Sequence, residues 1–147
     1  MKTKTFSVGW KRSTQPRKQR KYNYQAPLHL KQKMMHAHLS KELRAKYGTR
    51  NTQLKTGDKV KVMRGQFAKK EGKVEKIFLK RGEVYITGIE IIKKDGSKTL
   101  IALKASQLLI TELSLSDKLR KEKMESHKKT EKVQQQAKKS AKVEAKK

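Results

Sequence analysis

Thr56-Gly57-Asp58-Lys59-Val60-Lys61-Val62-Met63-Arg64-Gly65-Gln66-Phe67-Ala68-Lys69-Lys70-Glu71-Gly72-Lys73-Val74 is the stretch on which the fold turns. A Gly-Asp turn leads into Val60 and Val62, which alternate with Lys59 and Lys61. One face of such a strand can be buried while the other carries positive charge. A basic loop follows, and the chain returns through Gly72 into a second apolar run from Val74 to Leu79. Strand, cationic loop and strand around one small core hold cations rigidly against an anion.

Outward from this unit the pattern continues as strands and turns. Lys80-Arg81-Gly82-Glu83 and Lys94-Asp95-Gly96-Ser97 are turn-like, and Asp95-Gly96 between apolar runs is the strongest hairpin signal in the chain. The strands expected are Lys59 to Met63, Lys73 to Leu79, Glu83 to Lys93 with Gly88 as the place for a bend, Lys98 to Leu103 and Leu108 to Thr111. Val74 and Ile77 are an odd number of residues apart, which predicts a bulge or bend between them. About five short strands in this span make a mainly β domain, a small and highly bent barrel.

The 147 residues amount to one domain with tails. Lys and Arg number 40 against 13 acids, a formal charge of +27, and the pI is near 10.4. A polyanion is the natural partner of such a chain. Only 33% of residues are hydrophobic and mean hydropathy is −0.98, so the core must be small. There is no cysteine, hence no disulfide frame or thiolate metal site, as suits a reducing compartment. No apolar run reaches the roughly 20 residues of a membrane span, and Lys2 and Lys4 precede no apolar signal segment.

Charge divides the chain. Residues 1–55 carry 15 basic side chains against the single acid Glu42, residues 56–113 carry 13 against 7, and residues 114–147 carry 12 against 5. The expected organisation is an extended basic arm over 1–25, a short-helix extension over 26–55, the barrel over 56–113, and a C-terminal helix with a Lys-rich tail over 114–147. In the arm, Arg12, Arg17, Lys18, Arg20 and Lys21 lie among Trp10, Tyr22 and Tyr24 with neither helical nor strand periodicity. Cations interleaved with aromatics suit RNA, whose phosphates meet Arg and Lys and whose unpaired bases stack on rings. A disordered basic tail with a targeting role is the alternative.

Pro27 is a sensible first helical position, with Leu28, Lys31, Met34 and Met35 spaced as a short amphipathic helix and the two methionines read as packing. A second helix has Ser40 as N-cap, Glu42 in its first turn, Leu43 and Tyr47 on one face and Gly48 as C-cap, with Lys41, Arg44 and Lys46 largely off that face. Ser114 or Ser116 can cap a last helix running to about Ser126, with a thin stripe of Leu115, Leu119 and Met124. From His127 onward the composition predicts disorder, or helix only on a surface.

No carboxylate pair, activated nucleophile or metal cluster stands out, so no catalytic residue, metal site or cofactor is assigned and the chain reads as no enzyme. Asp58 and Asp95 sit at turns, where Asp has a local backbone role. His29, His36 and His38 lack Cys or acid partners at ligand spacing. Neither GxxxxGK[ST] nor GxGxxG occurs.

Gly57-Asp58, Val60, Val62, Arg64-Gly65 and Glu71-Gly72-Lys73-Val74, in that order, resemble a KOW motif, shared by ribosomal proteins and by elongation factors of the NusG and Spt-five type. The segments Gln15-Pro16-Arg17-Lys18-Gln19-Arg20-Lys21-Tyr22, Ala26-Pro27-Leu28-His29 and Leu39 through Arg50 ahead of it resemble the archaeal branch of the large-subunit ribosomal protein twenty-four family, eukaryotic protein twenty-six. The likeness covers about residues 15 to 111. Two places depart from the family pattern: Ala68-Lys69 where a Lys-Gly pair is usual after the aromatic, and Lys104-Ala105-Ser106 where His-Pro-Ser is common.

The resemblance implies an SH3-like (KOW) barrel bound to the five-prime domain of large-subunit ribosomal RNA, near the polypeptide exit tunnel, with a role in early subunit assembly. It implies a cytoplasmic, ribosomal location, with neighbouring ribosomal proteins around the tunnel exit as partners and no homo-oligomer. The residues expected at RNA are Arg17, Lys18, Arg20, Lys21, His29, Lys31, Lys33, Arg44 and Arg50 in the extension, with Tyr22, Tyr24 and His29 available for stacking. In the barrel they are Lys59, Lys61, Arg64, Lys69, Lys70, Lys73, Lys80 and Arg81, of which Arg64 can fork onto a phosphate at the loop entrance. A transcription factor would need a polymerase-binding domain that this length does not hold. A general nucleic-acid compactor would bind DNA and RNA alike.

Overall fold

The structure, a computed structural model, describes residues 6, 7, 9 and 13–126. The expectations for Trp10 and Arg12, and for the Lys-rich tail from His127, lie outside the described residues. In chain order the elements are α1 (Pro16–Gln25), α2 (Leu28–Met34), β1 (His36–Leu39), α3 (Lys41–Tyr47), β2 (Asn51–Gln53), β3 (Lys59–Val62), β4 (Glu71–Phe78), β5 (Glu83–Ile86), β6 (Glu90–Ile92), β7 (Lys98–Leu100), a 3₁₀ turn (Ala105–Gln107) and β8 (Leu108–Glu112). Residues 118–126 are helical and are called α4.

The fold is mainly β, as expected of a small KOW or SH3-like domain, with its bent sheet open rather than closed into a full barrel. Six strands run β2-β1-β8-β3-β4-β5, leaving β2 and β5 as edges, and β6 pairs only with β7. All pairings are antiparallel except β1 with β8. The predicted irregularity between Val74 and Ile77 is a register shift between Val74 and Lys76 opposite β5. The expected long strand from Glu83 to Lys93 is cut at Gly88, whose φ of +83° suits glycine and turns the chain out of the sheet. The predicted strand to Leu103 stops at Leu100, and Leu103 returns as an isolated bridge to Val84.

The extension before residue 56 is part of this sheet. β1 buries Ala37 and Leu39 and pairs with β8, and β2 pairs with β1, so Met35, Ala37, Leu39, Tyr47 and Leu54 join one core with Val60, Val62, Val84, Ile86, Ile89, Leu108 and Ile110. Burying each large aliphatic side chain contributes about 1.5–3 kcal/mol. The sequence pattern predicts only helices here. A four-residue strand between a helix end and an N-cap shows too few alternations to register. Met35 is buried beyond the end of α2, whereas Met34 is exposed.

α3 forms as its caps dictate: Ser40 Oγ accepts from Leu43 N at 3.3 Å and Gly48 adopts φ +70°. The arm, expected as extended, is helical over Pro16–Gln25 with no buried residue. Pro16 at its first position is the available start signal. The cap of α4 is Asp117 rather than Ser114 or Ser116: Leu119 N donates to Asp117 Oδ1 at 3.0 Å. Its buried apolar contact is Met124, while Leu119 is exposed.

What ties α4 to the sheet is a buried ion pair. Arg120 donates from Nη1 to Asp58 Oδ1 (2.6 Å) and Ser114 O (2.9 Å), and from Nη2 to Asp58 Oδ2 (2.8 Å) and Gln53 O (3.0 Å). Asp58 also accepts from Lys55 N and Ser114 N, each at 2.9 Å. The turn role predicted for Asp58 is thus present, joined to a long-range one.

Candidate nucleic-acid interface

The loop between β3 and β4 is built to be rigid. Lys69 N donates to Val62 O (2.8 Å), Val62 N to Lys70 O (2.9 Å), Ala68 N to Gly65 O (3.0 Å) and Met63 N to Gln107 O (2.8 Å). Phe67 packs partly buried against the core, and Lys70 Nζ lies 5.2 Å from its ring centroid. Arg64, Lys69 and Lys70 are therefore exposed cations on a loop whose backbone is tied at several points. Lys69 adopts φ +72°, alone among the described non-glycine residues.

A second group projects from the extension. Arg17, Lys18, Arg20 and Lys21 are exposed on α1. Tyr24 is 84% exposed, free to offer a face, whereas Tyr22 is half-buried with its ring centroid 4.8 Å from that of Phe6. His29 and Lys33 are exposed on α2, and Arg50 and Lys73 are exposed at β2 and on β4. Lys80 and Arg81 stand exposed on the β4–β5 turn.

Other predicted residues are engaged in the scaffold. Lys31 Nζ donates to Tyr24 O (3.2 Å) and Lys80 O (3.1 Å), clamping the helices to the β4–β5 turn. Arg44 folds back so that Nε donates to Leu39 O at 2.7 Å. Lys59 meets Glu112 at 2.8 Å and Lys61 meets Glu71 at 3.1 Å, so carboxylates match the cationic face expected of β3. The hydrogen bond and charge of Glu112 raise the Lys59 pKa above its ordinary value.

His36 and His38 stand two apart on β1, and His36 Nδ1 pairs with the Lys33 carbonyl. Among the described residues no group of three or more His, Cys, Asp or Glu side chains is placed to hold a metal ion. Lys104 lies outside the cationic set expected from the sequence. The 3₁₀ turn at Ala105–Gln107 brings it beside Lys80 and Arg81, which its place in the sequence does not announce.

Among the described residues, no ion pair engages the exposed cations of α1, the β3–β4 loop or the β4–β5 turn. Cations from several elements, presented without counter-charges, fit a folded polyanion whose phosphates approach from more than one side.

The sequence model of the family described as ribosomal proteins L26 in eukaryotes and L24 in archaea matches residues 13–129. The chain is 47% identical over 105 residues to the large ribosomal subunit protein uL24 of Methanothrix thermoacetophila, an alignment covering 71% of this chain and 90% of that protein. It is 45% identical over 108 residues to the protein of the same name from Methanosarcina barkeri, covering 74% of this chain and 93% of that one. Family match, relatives aligned over nine-tenths of their own length and a strand-rich KOW-like sheet agree, and the chain belongs to the family of eukaryotic L26 and archaeal L24 ribosomal proteins.

Proposed function

We propose that this chain binds the five-prime domain of large-subunit ribosomal RNA, near the mouth of the polypeptide exit tunnel, and supports early subunit assembly. Family membership makes it a structural, non-enzymatic constituent of the large ribosomal subunit. The observation that carries the RNA reading is the rigid β3–β4 loop with Arg64, Lys69 and Lys70 exposed on it, joined by the exposed cations of α1 and the β4–β5 turn, none of them in an ion pair among the described residues. Arg64 and Arg81 can fork onto phosphates, and the lysines act as point charges. Tyr24 and His29 offer exposed rings to unpaired bases. One copy acts alone on the RNA, with neighbouring ribosomal proteins at the tunnel exit as its protein partners.

The test is binding of the full chain to a five-prime-domain transcript, against a transcript of equal length and unrelated fold and a DNA duplex, over a salt series. Expected is a preference for the first transcript that survives moderate salt, and a log–log salt slope that falls in magnitude by roughly 0.7–0.9 in Arg64→Ala. Equal affinity for all three ligands at moderate salt would overturn the reading.

A further inference from the structure

Between α2, the β4–β5 turn and the 3₁₀ turn lies a cleft of about 290 Å³. Met34 and Leu79 supply apolar lining, Lys80, Arg81 and Lys104 supply charge, and Asn23 supplies an amide with both donors and an acceptor. Lys31 also reaches the cleft, but its ammonium is held on the Tyr24 and Lys80 carbonyls. Among the described residues no carboxylate lines the cleft. Two other hollows among the described residues differ: one contains the matched pair Lys55–Asp117, and one is lined by Arg50 and Lys123 beside the buried Met124.

We propose that this cleft seats one unpaired RNA nucleotide, its base against Met34 and Leu79 and its phosphate on Arg81 and Lys104. The proposal rests on the RNA-binding reading above and assigns that reading a specific seat. The volume is at the small end of ligand pockets and admits a single nucleotide, whereas a duplex presents no projecting base to fill it. Charge selects an anion. The apolar lining and the amide select a flat heteroaromatic with hydrogen-bonding edges, which an acidic peptide lacks. Lys104 is a permanent cation at this wall.

The test uses the full chain with ¹³C-methyl-labelled methionine, titrated with adenosine 5′-monophosphate, with single-stranded oligo(A) of five nucleotides, and with inorganic phosphate or polyglutamate as controls. The Met34 and Met35 methyl resonances are expected to shift saturably with the mononucleotide and the pentamer and to stay put with both controls. Arg81→Ala should weaken pentamer binding by about tenfold, the loss of a charge-assisted fork. Met34→Glu, at an exposed position, should abolish it without lowering the melting temperature. Equal shifts with phosphate, shifts with polyglutamate instead, or silent methionines would each overturn the proposal. Binding of the same samples to the five-prime-domain transcript separates the two claims: silent methionines with transcript binding retained overturn the cleft alone, and loss of both overturns the RNA reading as well.

Discussion

Replacing Arg120 by Met tests how α4 is held to the sheet. The guanidinium makes four hydrogen bonds, two of them to the carboxylate of Asp58, which is fully buried; Arg120 itself is 7% exposed. Methionine approximates the stem and removes the charge, leaving Asp58 buried with only the Lys55 and Ser114 amides for company. Breaking a buried pair from one side costs about 3–5 kcal/mol, because the remaining ion keeps its desolvation penalty. Against a total stability of about 5–15 kcal/mol this is a large fraction. For a domain of this size it lowers the melting temperature by roughly 10–20 °C. Thermal and urea unfolding followed by far-UV circular dichroism read the effect. Asp58→Asn should cost a similar amount, and the double variant should be at least about 1 kcal/mol more stable than the sum of the two single losses. An Arg120→Met protein within about 1 kcal/mol of the parent, or strict additivity, would refute the reasoning.

Lys69 held at φ +72° forgoes about 1–2 kcal/mol relative to a right-handed residue. Allowing for the chain entropy of glycine, Lys69→Gly should raise stability by up to about 1 kcal/mol in urea while weakening RNA binding at low salt; lower stability with unchanged binding would contradict this. A Cβ at Gly72 would stand 2.4 Å from the Thr87 carbonyl oxygen and 2.7 Å from Ile86 Cγ2, so Gly72→Ala should cost about 1–3 kcal/mol, and an unchanged urea midpoint would count against the β4–β5 packing described. Hydrogen bonds from Ser97 hold the Asp95 carboxyl below its ordinary value, and the Lys55 ammonium does the same for Asp117. Their stabilising contribution is complete above the ordinary carboxylate range and is lost as pH falls through the folded-state values. That of Lys59 is complete below 10.5 and is lost as pH rises past its raised value. Melting temperature against pH should therefore fall at both ends, and Asp117→Asn should soften the acid limb; a steeper acid limb in that variant would contradict the assignment.

Local signals were the legible part of this fold. Val60 and Val62 against Lys59 and Lys61, Asp95-Gly96, and the caps Ser40 and Gly48 each declare their structure within a few residues. The open topology was not legible, because β1 and β2 are four and three residues long, β1 takes its strand state from β8, about 70 positions away, and β2 takes its own from β1. Arg120 was missed for the same reason: its partner Asp58 is 62 residues distant, and nothing near Arg120 distinguishes it from neighbouring surface cations. α1 has no apolar stripe to betray a helix, although Lys, Arg and Gln are good helix formers and Pro16 marks its start. Charge announced the interface as a composition, but which cations are free depends on cross-strand acids. Glu112 and Glu71 engage Lys59 and Lys61, whereas Arg64 has no ion-pair partner among the described residues.

Ultraviolet crosslinking within salt-washed large subunits, with the linked peptides and nucleotides both sequenced, reads whether these cations meet the ribosomal RNA. The chain should stay with the subunit through the wash, and links from α1, the 64–70 loop and the Lys80-Arg81 turn should fall in the five-prime domain of the large-subunit RNA. Release of the chain by the wash, or links from these elements only to proteins or to other RNA domains, would contradict it.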